Sequence, residues 1–144
     1  MLTQRIITAI FLLAALLAAM YFGSDTTWRI VCGVIAAFAS IEWARLSGIR
    51  SPIGQHVYAG LNVLLLFVIG NLGRMAAIGC FWLSAGIWLT MVPWFLYRGK
   101  LPSSRPLIAA GIVMIVSAAL ALDQLRSTSV NLLLSVLGIV WLSD

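Results

Sequence analysis

MAAIGCFWLSAGIWLTMVPWFLY, residues 75–97, is the longest apolar run in the chain and carries no charged side chain. Inside a bilayer no water pairs with backbone N–H and C=O groups, so such a run must be a helix or belong to a closed barrel. Barrel strands are segments of about ten residues with alternating polarity. This run neither alternates nor stops at that length, which excludes a barrel. It is one of six apolar runs, near residues 6–23, 29–46, 57–73, 75–97, 107–122 and 130–143. A chain that is 62% hydrophobic and 9% charged, with a mean hydropathy of +1.08, is not a water-soluble domain. The expected fold is all-α: a polytopic transmembrane helical bundle of about six spans, in one domain covering residues 1–144.

Outward from that run, Pro93 is expected to bend its far end. Trp82 and Trp88 are six residues apart and cannot both anchor at an interface, so they read as packing residues. Arg74 marks a tight connection back to the third run. There Asn62 reads as a polar contact between helices. On the other side, residues 98–106 (RGKLPSSRP) hold three cations and two prolines and read as a polar loop. It obeys the cytoplasmic charge rule and also offers a basic surface to anionic lipid headgroups. Residues 123–129 (DQLRSTS) read as the connection to the sixth run.

The earlier half is similar in pattern. The first run follows a basic segment, as a signal peptide would, but no polar cleavage segment follows and Tyr21-Phe22 marks an interface, so it reads as an uncleaved span. Residues 23–27 are a turn and Trp28 opens the second span. Glu42 and Arg45 can pair three residues apart, with Trp43 in the aromatic belt. Gly33 and Ala37 make a small-residue step that admits a neighbouring helix, so a homo-oligomer is open. Residues 47–56 read as a loop. His56 has no second ligand at metal spacing, and Cys32 and Cys80 are small core residues with no disulfide or metal pattern. Alternating sides put Arg5, Arg45, Arg50, Arg98, Lys100 and Arg105 on one face. Arg29, Arg74 and Arg126, with Asp25 and Asp123, fall on the other. The excess orients the chain in the cell (inner or plasma) membrane with both termini cytoplasmic. The net charge of +5 therefore reads as topology, not as a nucleic-acid footprint.

The last run, VNLLLSVLGIVWLSD, ends on a carboxylate. A helix over residues 130–143 is about 21 Å long, against a hydrocarbon core of about 30 Å. Asp144 would then rest at a depth where an ionisable group is costly and marks function. This suggests a piece of something longer, cut before a catalytic half. The Trp141-Leu142-Ser143-Asp144 ending resembles the start of the catalytic half in the CDP-diacylglycerol synthase (phosphatidate cytidylyltransferase) family. Gln4-Arg5-Ile6-Ile7-Thr8-Ala9 is similar to that family's basic opening, and Ile41-Glu42-Trp43-Ala44-Arg45-Leu46 to the Glu-Trp-x-x-Leu element that ends its second span. The first span lacks the proline often found in the family, and the family's His-Gly-Gly-rich signature is absent from these residues.

The resemblance implies a nucleotidyltransferase that joins CTP and phosphatidic acid into CDP-diacylglycerol and pyrophosphate, in phospholipid biosynthesis. It also implies Mg2+ or another divalent metal, with Asp144 as a candidate ligand in an incomplete metal site. No catalytic residue is assigned, and catalysis by these 144 residues alone is not expected. The sequence has no Walker or dinucleotide glycine motif, and no paired carboxylates or nucleophile–base arrangement. The competing reading is a small, complete polytopic helper or structural membrane protein without catalysis.

Overall fold

The computed structural model describes residues 2–99 and 104–143. Lys100 and Asp144 lie outside these. The described residues form α1 (Leu2–Phe22), α2 (Asp25–Leu46), α3 (Pro52–Leu72), α4 (Arg74–Gly86), a π-helical turn (Ile87–Met91), α5 (Val92–Arg98), α6 (Ser104–Thr128) and α7 (Val130–Ser143). α4, the π turn and α5 follow without a break, so six helical rods stand among the described residues. The fold is all-α and polytopic. Three rods, Pro52–Leu72, Arg74–Arg98 and Ser104–Thr128, are each long and apolar enough to cross a membrane. The apolar stretches Ile10–Phe22 and Val130–Val140 are shorter, and α2 carries Arg29, Glu42 and Arg45. The protein is an integral membrane protein.

Five of the six rods begin one to five residues before their apolar runs, and Arg74–Arg98 and Ser104–Thr128 also end later, because polar first and last turns belong to them. α3 starts at Pro52 rather than near residue 57: Ser51 caps it, its Oγ accepting from Gly54 N at 3.4 Å, and Pro52 occupies the first turn, where its missing N–H costs nothing. α2 starts at Asp25, with Ser24 Oγ accepting from Thr27 N at 3.1 Å. The expected connection over residues 123–129 is helix through Thr128, and Ser129 alone separates α6 from α7. Gly73 alone links α3 to α4; its φ of 94° and ψ of −179° lie where essentially only glycine is at ease.

Ahead of Pro93 the span changes its hydrogen bonding. Pro93 has no N–H, and its ring crowds the carbonyl one turn back. The five residues before Val92 widen into the π turn, so that Val92 N reaches Ile87 O. Thr90 Oγ1 covers the Gly86 carbonyl at 2.6 Å.

The chain forms two compact units. One comprises residues 33–121. Within it α2 and α3 run antiparallel, with Gly33 against Phe67 and Val63. α3 and α6 run parallel: Tyr58 meets Ile108 near their starts, and Gly70 lies under Leu120 near their ends. The small step at Gly33 therefore serves contact inside the chain. In this unit Arg74–Arg98 is the outermost span, with 6% of its apolar window buried against 33% for α6. Trp82 and Trp88 are 75% and 54% exposed, which corrects the expectation that they pack inside. Lipid is as apolar as a protein core, so an outer membrane helix loses nothing by presenting indoles to it.

The second unit comprises residues 1–32 and 122–144. Among its described residues the buried side chains are Met20 of α1, Trp28 and Cys32 of α2, and Leu133 of α7.

Candidate functional site

The polar groups of residues 33–121 gather where α2 ends and α3 and α6 begin. Glu42 and Arg45 form the expected pair, Nη1 to Oε1 at 2.9 Å, with both side chains largely exposed. Arg45 is held a second time, its Nε donating to Gln55 Oε1 at 3.3 Å. The buried Gln55 in turn donates through Nε2 to Ile49 O at 2.8 Å, which closes the turn between the helices. Gly48, at φ 89°, gives that turn its sharpness, and a Cβ there would stand 3.2 Å from Ser104 Oγ at the start of α6.

Two further donors clamp α6. Trp43 Nε1 donates to Leu107 O at 2.8 Å, and Tyr58 Oη donates to Ile108 O at 2.9 Å. Trp43 thus tethers α2 to α6. Gly111 lies directly beneath this pair: a Cβ would overlap the Trp43 indole and come within 2.6 Å of the Tyr58 hydroxyl. Asn62 is fully buried, but its Nδ2 donates to Tyr58 O of its own helix at 2.9 Å, not across an interface. Its Oδ1, with Ser40 Oγ and Ser47 Oγ, is buried without a hydrogen-bond partner. His56 is exposed, with Nδ1 2.7 Å from Pro52 O.

In the unit of residues 1–32 and 122–144 the polar centre is Arg126. Its side chain is 9% exposed, and Nε donates to Met20 O at 3.0 Å. Nη2 donates to Gly23 O, and Nη1 pairs with Asp25 Oδ1 at 3.1 Å. The guanidinium also lies 5.5 Å from the centroid of the Trp28 ring. A cation at the C-terminal carbonyls of α1 meets the negative end of its dipole. Beside it Arg29 Nε pairs with Asp123 Oδ2 at 3.2 Å, and Trp28 Nε1 donates to Leu122 O at 3.3 Å. These bonds explain why residues 123–128 stay helical. Asp123 and Arg126 have partners on α2 and on the α1–α2 turn, so the segment is polar without being a loop.

Among the described residues no three His, Cys, Asp or Glu side chains converge as metal ligands. Asp144, the ligand expected from sequence, lies outside them. The described residues do not make a divalent-metal site by themselves. The sequence marks out Glu42, Arg45, Trp43 and Asn62 and gives Arg126 a place only in the charge distribution, while Gln55, Tyr58 and Gly111 carry no such mark. The available signal was spacing: Gln55, Tyr58 and Asn62 recur at three and four residues, which puts them on one helix face.

The sequence profile of the cytidylyltransferase family matches residues 3–144, nearly the whole chain. The chain belongs to the cytidylyltransferase family. The match takes in both polar centres, the clamp on α6 and the node at Arg126. A phosphatidate cytidylyltransferase of Pseudomonas aeruginosa is 32% identical over 91 residues, which are 63% of this chain and 33% of that relative. The match thus spans about a third of the relative's length. No solved structure matches the chain.

Proposed function

We propose that this chain is the N-terminal membrane portion of a phosphatidate cytidylyltransferase, which joins CTP and phosphatidic acid into CDP-diacylglycerol and pyrophosphate. The observation that carries the reading is the family match over residues 3–144, together with the similarity to the phosphatidate cytidylyltransferase of Pseudomonas aeruginosa. The physical setting agrees with it. One substrate is a lipid and the other a soluble nucleotide, so the reaction needs a membrane-embedded body with a polar end. Both substrates are anionic, so that end must be cationic. Arg45, fixed between Glu42 and Gln55, and the exposed Arg50 and Arg105 supply that sign where α2, α3 and α6 meet. The polar end faces the cytoplasm in this reading, in keeping with the charge excess there.

The family chemistry also calls for Mg2+ or another divalent metal, with Asp144 as one carboxylate ligand in the proposal. The test is turnover of radiolabelled CTP with phosphatidic acid by the gene product that carries these residues, in detergent–lipid micelles. Label appearing in a chloroform-soluble product, dependent on phosphatidate and on divalent metal, is expected. No product, with the protein folded and metal present, overturns the reading in favour of a helper without catalysis.

A further inference from the structure

We propose that the α2–α3 turn and the adjoining ends of α5 and α6 form a docking surface for anionic phospholipid headgroups of the surrounding leaflet, with Arg50, Arg98 and Arg105 as its cations. The occupant is bulk anionic lipid; the inference shares Arg50 and Arg105 with the cationic end invoked for the substrates, and lipid binding without CTP reads it separately from turnover.

Geometry brings the three together. Arg50 is two residues beyond Gly48, and Arg105 follows Ser104, the residue against which Gly48 packs. Arg98 ends α5 six residues before Ser104, so at most about 20 Å of extended chain separates them. All three are exposed. The one carboxylate at this end among the described residues, Glu42, is already paired with Arg45. The helix dipoles do not set the sign, because α3 and α6 start here while α2 and α5 end here, and two positive termini offset two negative ones. Side chains decide it. In the same unit the opposite end holds Arg74 alone among the described charged residues.

Depth identifies the occupant. Trp94 and Tyr97 are exposed on the last turns of α5, as aromatic side chains are at the level of the headgroups. The Arg98 guanidinium stacks 4.3 Å from the centroid of the Trp94 ring. The cations thus lie at phosphate depth, on three different elements, and do not converge on a point. Such a rim holds a free phosphate weakly, since each exposed contact is screened by water and salt. A leaflet presents many phosphates at once and engages all three, with about 1 kcal/mol, or roughly fivefold, per cation.

The full chain, purified in detergent, is titrated with phosphatidylglycerol and separately with phosphatidylcholine, and bound lipid is counted by native mass spectrometry. A preference for phosphatidylglycerol of about tenfold or more is expected. It falls roughly fivefold in each of R50Q, R98Q and R105Q, and stays unchanged in R74Q. Replacing all three arginines by lysine keeps the preference within about twofold, because the attraction is electrostatic. Each variant is measured in its monodisperse fraction, so loss of fold is read separately from loss of lipid. Equal affinity for the two lipids overturns the proposal, as does an unchanged preference in R50Q and R105Q. Loss of preference in the lysine variant overturns its electrostatic basis. Release of phosphatidylglycerol by millimolar inorganic phosphate would reassign the surface to a soluble anion and equally overturn it.

Discussion

At Gly111 a single hydrogen atom stands where any other residue would carry a β-carbon, directly beneath Trp43 and Tyr58. Gly111→Ala must push the indole or the phenol off its acceptor carbonyl. It is expected to lower stability by about 1–3 kcal/mol, read as a reduced melting temperature in detergent. Gly60→Ala on α3 is the control. Nothing lies within 4 Å of its added carbon, and helix propensity predicts a gain of about 0.5–1 kcal/mol. Arg126 and its partner Asp25 behave unequally for a similar reason. Arg126→Met leaves the Met20 and Gly23 carbonyls without their donor and is expected to cost about 2–4 kcal/mol. Asp25 is 91% exposed, so Asp25→Asn costs less than about 1 kcal/mol. Equal losses from the two variants, measured by denaturant unfolding, would contradict the assignment of Arg126 as the centre of that cluster.

Among the elements, Arg74–Arg98 shows what a proline does inside a membrane span. The π turn exists because Pro93 cannot donate, and Pro93→Ala restores an N–H able to reach the Leu89 carbonyl. The expected result is a newly protected amide at position 93 and loss of the Val92-to-Ile87 bond, seen by amide exchange in a nanodisc; an unaltered pattern around Ile87 would show that the turn has another cause. The apolar runs made the existence of the helices legible, because in lipid a long uncharged stretch has one regular solution. Their ends were not legible from hydropathy. Ser51-Pro52 and Ser24-Asp25 are start signals written in capping residues, while Asp123 and Arg126 look like loop residues until their partners on α2 and the α1–α2 turn are known. Trp82 and Trp88 were misread because burial was credited with a gain that lipid already supplies. Glu42–Arg45 was readable because a pair three residues apart needs no tertiary information.

For the whole molecule, the charge pattern makes a prediction about sidedness. The α2–α3 turn and the α5–α6 connection should face the cytoplasm. Cysteines introduced at Arg50 and Arg105 should resist a membrane-impermeant maleimide in intact cells and react after permeabilisation; labelling in intact cells would reverse the orientation. The family was legible from short motifs in order, Arg5-Ile6, Glu42-Trp43 and Trp141-x-x-Asp144, while the site's chemistry was not, since its tethers join residues far apart in sequence. That distance also has a consequence in time. Trp43 donates to a carbonyl 64 residues further along the chain, and Tyr58 to one 50 residues further. At about 5–20 residues per second, Leu107 leaves the ribosome roughly 3–13 s after Trp43. Through that interval the α2–α3 hairpin waits in the bilayer with an indole and a phenol unmet. The nascent chain is therefore most exposed to quality-control proteases just before α6 arrives, and slowed translation over residues 60–105 should lower the yield of intact protein.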